Sequence, residues 1–490
     1  MTKKIKIIIF SVFLIFATLF FFKGFVYRQI SDFYYPISYK DYLFWLRKSA
    51  ESGCPESQYD FSRFYRRKRD RTGIQEYFFW AKKAAENGHV ASQYNISNSY
   101  MFGYGAKYDL DLALYWAKKA AEKGNSYAQN NIGYIYSLKS YKDYDLKKSF
   151  FWLSKSAKQG NSVALFNLYL HYINVNPMYK DDPKVFGYLK ESAQRNHFHA
   201  QIRLAYLYND RNFKFRDKDK SIFWFKKLAN RGSYDGKYQL SQIYSESEDT
   251  HKESFYWLSK AAESGNSKYL IKLAEYYFNG IGVSKDINSG LNLLLTSSKQ
   301  NDQEISYYLA QLFLDGLLVP KSEDKYIEII NMLADNNHLQ SKFDLAMLYQ
   351  DGSIIKPDIK KSINILKDLS DQSYYKATLA LSDLYFEGKL VDKNTDLAMN
   401  MLFDLSGKGY YPAKFKLAQF YKNGENLEKN ERKYLDLMVY LSGKDYDPAI
   451  EELNLYFKLK NGVNKNSFKI PMVITDSKKT NNQEDIATKN

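Results

Sequence analysis

The sequence predicts an all-α fold: an α/α solenoid of about eleven to twelve 36-residue helical hairpins, with an N-terminal transmembrane helix. The stretch WAKKAAENG at residues 80–88 returns as WAKKAAEKG at residues 116–124. The same frame, an anchor residue followed five positions later by a small residue, recurs twelve times at spacings of 33, 35 or 36 residues. A fixed period of this length is typical of stacked repeats. The anchors are Trp45, Trp80, Trp116, Trp152, Tyr188, Trp224, Trp257, Leu293, Ile329, Ile365, Met401 and Leu437.

The fifth residue after each anchor is Ala or Ser in all twelve units. Close-packed interiors respond to even one extra methylene, so a position that stays small indicates that two helices cross closely there. The repeat is therefore a packing unit. The twelve small residues are Ala50, Ala85, Ala121, Ala157, Ala193, Ala229, Ala262, Ser298, Ala334, Ser370, Ser406 and Ser442.

Length and composition agree with one repeat domain over residues 29–462. The chain has 490 residues, is 45% apolar and 17% aromatic, and contains one Cys. These values exclude a disulfide-stapled scaffold and a disordered chain. Residues 463–490 contain one apolar island, FKIPMVIT, in a polar stretch, which predicts a disordered tail.

Residues 1–28 form a segment of another kind. Three lysines precede an uncharged apolar run at residues 7–22, and Lys23 and Arg28 follow it. The run would span about 24 Å as a helix at ~1.5 Å per residue, slightly less than the ~30 Å hydrocarbon core. We expect an uncleaved membrane anchor because no small-residue cleavage site follows; a cleaved signal and a buried helix are the alternatives.

The bias of positive charge sets the expected orientation. The lysines and the amino terminus before the run favour a cytoplasmic N-terminus, which places the repeats outside the cytoplasm. We therefore expect a single-pass protein of the inner membrane, held by residues 7–22, with a periplasmic repeat domain. The single Cys54 fits an oxidising compartment because it has no partner in the chain to mispair with.

A second pattern begins twelve residues after each anchor. It reads Ser92, Ile96, Ser97, Tyr100 and Gly103 in one unit, and these spacings place the side chains on one face of a helix. We name this segment helix A and the anchor segment helix B. Glycines after both helices mark the turns of an antiparallel hairpin. The array is expected to open on the B helix near Trp45 and to close on the A helix beginning at Ala449.

These residues resemble the Sel1-like repeats, relatives of the tetratricopeptide repeats. The pattern is clearest in LAEYYFNGIGVSKD at residues 273–286 and at residues 257–265, and it covers about residues 39–462. The resemblance implies a right-handed α/α superhelical solenoid that mediates protein contacts, often in bacterial envelopes. The last five units replace the Trp with aliphatic residues, which weakens the carry-over of family surface features.

The sequence contains few candidates for catalytic or metal-binding residues. His197 and His199 lie at a turn without a nearby Cys or acidic pair, so surface residues are favoured over a metal site. The adjacent Asp181 and Asp182 are better explained by solvation than by acid–base catalysis. Phosphate-binding loops, serine elbows and zinc-protease motifs are absent from the sequence. We predict no catalytic residue, no cofactor and no metal.

Two surface features favour binding. The first is the basic stretch RFYRRKRDR at residues 63–71, a candidate site for anionic surfaces such as lipid headgroups or an acidic protein. A solvated helix end is the alternative. We take the net charge of +16 as spread through the chain, and we expect no nucleic-acid partner. The candidate residues are Arg63, Arg66, Arg67, Lys68, Arg69 and Arg71.

The second feature is the position two residues into each A helix, which lies off the apolar stripe. It is aromatic in Tyr59, Tyr94 and Tyr238, our candidate partner-binding residues. The position is expected either to pack against the next repeat or to form an aromatic ladder on the concave solenoid face, where a protein partner would bind.

The sequence thus favours a membrane-anchored periplasmic protein–protein interaction scaffold or adaptor. An alternative within the implied family roles is an immunity protein that neutralises a toxin directed at the envelope. An enzyme is the less favoured class because the sequence shows no catalytic constellation.

Overall fold

A computed structural model describes residues 23–68, 70–298 and 302–461. Within these residues the chain forms 25 α-helices and two short 3₁₀ helices, at Pro177–Asp181 and Glu248–Thr250, and no strand. It divides into two compact units, Met1–Asp286 and Ile287–Asn490. The predicted all-α repeat solenoid is confirmed.

From α2 onward, the helices of the first unit alternate between the B and A types. They are α1 (Lys23–Tyr34), α2 (Tyr39–Glu51), α3 (Pro55–Arg66), α4 (Arg71–Glu86), α5 (Val90–Phe102), α6 (Leu110–Glu122), α7 (Ser126–Ser137), α8 (Leu146–Lys158), α9 (Ser162–Val175), α10 (Pro183–Gln194), α11 (Phe198–Asn209), α12 (Lys218–Asn230), α13 (Tyr234–Tyr244), α14 (His251–Ala262) and α15 (Ser267–Asn279).

The second unit continues the alternation. Its helices are α16 (Ile287–Ser298), α17 (Gln303–Asp315), α18 (Glu323–Asp335), α19 (Leu339–Asp351), α20 (Ile359–Asp371), α21 (Tyr375–Glu387), α22 (Thr395–Gly407), α23 (Tyr411–Asn423), α24 (Glu431–Ser442) and α25 (Asp447–Asn461). The even-numbered helices α2 to α24 are the twelve B helices, and the odd-numbered helices α3 to α25 are the twelve A helices. The predicted hairpins are thus confirmed in number.

The small position of the repeat lies where helix B meets helix A. All twelve of its residues are buried or half-buried. In four repeats the first buried Gln of helix A donates its Nε2–H to the backbone carbonyl of this small residue, which brings the two helices together. The pairs are Gln58–Ala50 at 3.0 Å, Gln93–Ala85 at 3.1 Å, Gln129–Ala121 at 3.4 Å and Gln201–Ala193 at 3.0 Å.

The predicted turn glycines adopt the left-handed conformation. Gly103 ends α5 with φ of 69°, and Gly280, Gly316, Gly352, Gly388 and Gly424 end later A helices in the same way. The turn at Gly282 also needs a glycine for space, because a Cβ there would lie 2.0 Å from the carbonyl oxygen of His251. The Gly-Ile-Gly stretch at residues 280–282 is a repeat turn preceded by helix α15.

Helix α1 precedes the first predicted B helix and packs against it. The Ser49 hydroxyl donates to the Gly24 carbonyl at 2.6 Å, and Arg28 forms a salt bridge with Asp60 of α3 at 2.5 Å. The first B helix, α2, therefore has a neighbour on its N-terminal side that the repeat frame does not predict. Helix α1 also runs across residue 28, where the sequence analysis places the end of the N-terminal segment.

Among the described residues, no helix combines the length and the apolar character needed to cross a bilayer. The apolar run at residues 7–22 and the tail at residues 463–490 lie outside the described residues, as does Arg69. The transmembrane helix and the handedness of the solenoid stay predictions.

Candidate functional site

The three predicted partner-binding tyrosines lie at the joints between neighbouring repeats. Each ring contacts an aromatic ring at the start of the next A helix, so this position takes part in packing between repeats. Other units make the same contact, for example Phe166 with His197. The centroid distances are 4.4 Å for Tyr59–His89, 5.7 Å for Tyr94–Tyr127 and 4.8 Å for Tyr238–Tyr269.

The structure does not gather these tyrosines into one site, because they lie on α3, α5 and α13. Tyr238 is only 9% exposed, and the Lys268 ammonium lies 4.6 Å from its ring centroid. Tyr59 and Tyr94 are half-buried, so part of each ring stays accessible. Their role in binding a partner stays a prediction.

The basic stretch forms the end of α3 and the start of α4, and its described cations are exposed. Several of them lie over aromatic rings of the same region. The Arg66 guanidinium lies 5.7 Å from the Tyr77 centroid, and the Lys68 ammonium lies 5.1 Å from that of Tyr65. Arg66 also lines an open groove of about 660 Å³ together with Tyr77 and Asn98. The cluster is thus a solvent-facing patch held by its own aromatic neighbours.

Three histidines have a structural role as N-caps of A helices. The Nδ1 atoms of His89, His197 and His338 accept hydrogen bonds from the backbone N–H groups three residues ahead. Burial disfavours the charged imidazolium and lowers the pKa of all three side chains. They are therefore held neutral as hydrogen-bond acceptors.

The predicted surface pair His197 and His199 has ring centroids 5.9 Å apart. Because the Nδ1 of His197 is engaged in capping α11, it is not free to bind a metal. In the part of the chain that the structure describes, no group of three or more His, Cys, Asp or Glu side chains could hold a metal ion.

A row of exposed aromatic rings lies on the B helices of the first unit, at the residue immediately before the anchor. These rings are 47–58% exposed. Each meets the neighbouring Trp edge to face, with centroids 5.1–5.4 Å apart and ring planes at 76–85°. Helix α10 alone among these B helices interrupts the row, with Gly187. The six rings are those of Phe44, Phe79, Tyr115, Phe151, Phe223 and Tyr256.

A lysine follows each of the six rings by four residues. The ammonium of Lys83 lies 4.5 Å from the Phe79 centroid and that of Lys119 lies 4.6 Å from the Tyr115 centroid. Lys48, Lys155 and Lys227 occupy the same position and lie over Phe44, Trp152 and Trp224. Within the described residues these five lysines form no salt bridge, so their ammonium groups are available to an anionic partner. The sixth lysine, Lys260 after Tyr256, is instead paired with Glu263 at 2.6 Å. We name the six rings and these five lysines the aromatic–lysine row.

The second unit lacks this row although its hairpins have the same architecture. The ring position is polar there, and the lysine position carries no cation. The repeat therefore folds without either group. The ring position holds Asn292, Glu328, Asn364, Asn400 and Asp436, and the lysine position holds Thr296, Met332, Asp368, Asp404 and Tyr440.

The net charge differs between the two units, which corrects the expectation of an even spread. Met1–Asp286 contains 45 Lys and Arg against 27 Asp and Glu, a net charge of +18. Ile287–Asn490 contains 26 against 28, a net charge of −2. The positive potential of the protein therefore belongs to the unit that carries the aromatic–lysine row.

The family model for the Sel1 repeat matches ten segments that together cover more than half of the chain. The chain belongs to the Sel1 repeat family. Proteins built from this repeat bind protein partners and are generally scaffolds without enzymatic activity. The matched segments are residues 78–89, 90–125, 126–161, 198–233, 237–266, 267–302, 306–325, 339–367, 376–402 and 412–433.

Solved structures of other Sel1 repeat proteins are similar to this chain. A protective antigen of uropathogenic Escherichia coli with an SLR fold is 23% identical, with a TM-score of 0.49 and coverage of 85% of this chain and 90% of that one. A Sel1 repeat protein of Oxalobacter formigenes is 20% identical, with a TM-score of 0.36 and coverage of 78% and 92%. No curated protein matches the chain.

Proposed function

We propose that this Sel1 repeat protein is a membrane-anchored periplasmic scaffold whose first unit binds an acidic protein partner through the aromatic–lysine row. The observation that carries the proposal is the row itself. Six B helices present a half-exposed ring at the same position. Each ring is followed four residues later by a lysine, and five of these lysines form no salt bridge among the described residues. Exposed large apolar side chains that recur in register mark an interaction surface more often than isolated ones do.

The rings of the row are suited to binding because they are held in place. The Trp anchors of α4, α6 and α12 are buried, and each packs against the edge or face of its exposed neighbour. A ring fixed in this way loses little conformational entropy when a partner covers it. Aromatic residues in such positions commonly supply a large share of the binding energy of an interface.

The second unit shows that the repeat folds without the exposed ring. The hairpins of α18 and α20 form with Glu328 and Asn364 at the ring position. A role in folding the repeat would require the ring in both units. The presence of rings and lysines in the first unit alone therefore supports a role in contacts with another molecule.

Charge supports an acidic partner. The first unit has a net charge of +18, and the lysines of the row form no salt bridge among the described residues. Complementary charge raises the association rate and selects against basic partners. The basic cluster at residues 63–71 lies in the same unit and adds to this potential.

The sequence supports the location. The apolar run at residues 7–22, with lysines before it, is the basis for an inner-membrane anchor and a periplasmic repeat domain. The concave face, with the accessible parts of Tyr59 and Tyr94, is a second surface for the same function.

The test is affinity capture from the membrane fraction with the full chain in mild detergent. Native protein is compared with the variant Phe79→Ala, Tyr115→Ala, Phe223→Ala. The matched control carries Phe403→Ala and Tyr440→Ala, two exposed rings of the second unit. We expect native and control proteins to retain an acidic protein at low salt and the row variant to lose it. Retention by the row variant, or loss by the control, contradicts the proposal.

A further inference from the structure

The start of the described chain exposes a dense set of apolar side chains. Phe33, Tyr35, Ile37 and Tyr39 are 53–65% exposed, and Phe25 and Val26 are exposed on α1. No other stretch of fifteen described residues exposes as many large apolar side chains. A contiguous set of this kind is rarely left facing water.

Helix α1 is fixed against the array, so this exposure does not come from a loosely attached helix. Gly24 and Ser31 are buried against α2: the Gly24 carbonyl accepts from Ser49, and the Ser31 hydroxyl donates to the Tyr42 carbonyl at 3.2 Å. A Cβ on Gly24 would lie 2.9 Å from the Ser52 hydroxyl, which shows how closely the helices approach. At about 100° per residue, the face of α1 opposite these contacts carries Val26 and Phe33, and Phe25 lies at its edge.

Two charged side chains of α1, Arg28 and Asp32, are held in ion pairs. Arg28 bridges Asp60 of α3 and Asp32 of α1, at 2.5 and 3.1 Å. The exposed Asp32 is therefore paired and adds little net negative charge to the outward face. Lys23 and Lys40, at the two ends of the apolar set, are exposed.

The chain that precedes this patch indicates what covers it. Residues 7–22 are uncharged and apolar, and α1 begins directly after them at Lys23. A chain that enters a bilayer at residue 22 holds Phe25 and Val26 at the membrane surface. The tyrosines combine an apolar ring with a hydroxyl, and the flanking lysines pair with lipid phosphates, which is the composition of a membrane interface.

We propose that α1 and the turn at residues 35–39 lie in the plane of the membrane, with Phe25, Phe33 and Ile37 inserted at the boundary between headgroups and acyl chains. The inference rests on the proposed anchor and adds to it a second, rigid contact between the first unit and the lipid. Because α1 is locked to α2 and α3, this contact sets the orientation of the first unit relative to the bilayer.

The experiment measures how deep this patch lies in lipid. The native Cys54 is first replaced by Cys54→Ser, because serine is a good residue for the N-cap position that Cys54 occupies on α3. A single new cysteine is then introduced into the full-length protein by Phe33→Cys or Ile37→Cys and is spin-labelled. The matched control is Phe403→Cys in the second unit. Each protein is reconstituted in nanodiscs of phosphatidylcholine and phosphatidylglycerol in equal amounts. Melting of each variant is compared with that of the Cys54→Ser parent, and only variants with an unchanged midpoint are measured.

The expected result is that labels at positions 33 and 37 collide more often with oxygen, which partitions into lipid, than with the water-soluble NiEDDA. The label at position 403 should show the reverse ratio. If the protein stays with the discs but all three labels favour NiEDDA, the anchor holds and the interfacial contact is wrong. If the protein does not stay with the discs, the anchor itself fails, and the inference with it. Protection from both reagents would mean that residues 7–22 or another protein cover the patch, which also overturns the inference.

Discussion

The imidazole of His89 caps helix α5 and at the same time packs against the ring of Tyr59 in the preceding repeat, with 4.4 Å between the ring centroids and the ring planes tilted by 32°. The cap requires an unprotonated Nδ1, because this atom accepts the N–H of Ser92. One side chain therefore couples the start of an A helix to the joint between two repeats. His197 repeats the arrangement against Phe166, at 4.9 Å.

This arrangement predicts a loss of stability on mild acidification. Burial lowers the pKa of His89 and His197 below their ordinary value of 6.5, so the unfolded chain takes up protons first as the pH falls. Their contribution to the free energy of unfolding is complete above 6.5 and is lost between that value and the lower folded pKa. Thermal melting above and below this window measures the loss.

The control for this prediction comes from the chain itself, where Asn125 and Asn161 cap the equivalent helices. The double variant His89→Asn, His197→Asn keeps the caps but cannot titrate. We expect its melting midpoint to depend less on pH over the same window. An unchanged pH dependence would show that other groups are responsible.

Gly133 of α7 is predicted to tolerate no side chain. A Cβ there would lie 2.6 Å from Leu153 Cγ and 3.0 Å from the Leu153 backbone nitrogen on α8. Gly133→Ala should therefore lower the free energy of unfolding by about 1–3 kcal/mol through overpacking. Gly187 of α10 is the control, since a Cβ there meets no described atom within 4 Å. Gly187→Ala should stabilise by ~0.5–1 kcal/mol, as expected for a helix interior. Equal effects of both changes in chemical denaturation would refute the close crossing of α7 and α8.

The tyrosines at the repeat joints give a prediction that separates packing from binding. Tyr238→Ala should lower the melting midpoint, because its ring is buried and stacks on the ring of Tyr269 of α15. Tyr94→Ala should lower it less, because the Tyr94 ring is half-buried. Parallel measurement of melting and of partner affinity decides their role. Weaker binding by ~1 kcal/mol or more at unchanged melting would assign Tyr94 to the partner surface.

The proposed periplasmic location of the repeat domain predicts the outcome of a topology assay. A reporter that is active only in the periplasm, fused after residue 470, should be active because the lysines before residues 7–22 favour a cytoplasmic N-terminus. The protein should also stay with the membrane fraction after a high-salt wash. Activity of a cytoplasm-only reporter at the same position would reverse the topology.

The hairpins could be predicted from sequence because their determinants recur in every unit. The small position of Ala121 recurs in all twelve units, and the turn glycine of Gly103 recurs after five later A helices. The off-stripe angle of Tyr59 left two neighbours possible, and only the packing of the next repeat shows that the ring meets His89. Helix α1 could not be predicted from the repeat pattern, because it carries no anchor or small-residue pattern of its own.

The aromatic–lysine row is not apparent from the shared frame for a different reason. A search for positions common to all units discards the residue before the anchor, since Phe79 and Tyr115 correspond to Asn364 and Asp436 in later units. The pattern of rings and lysines becomes apparent when the repeats of the first unit are aligned without those of the second. The charge difference between them is found in the same way, from the boundary at residue 286.

The proposed binding of an acidic protein partner by the lysines of the row is tested most directly by titrating the captured partner against two matched variants. Lys83→Glu with Lys119→Glu reverses the charge beside Phe79 and Tyr115, whereas Lys83→Arg with Lys119→Arg preserves it. We predict that the charge-reversed protein binds at least tenfold more weakly, a difference of about 1.4 kcal/mol, at unchanged melting. The arginine variant should bind like the native protein. Equal affinity of all three proteins at low salt would contradict the account.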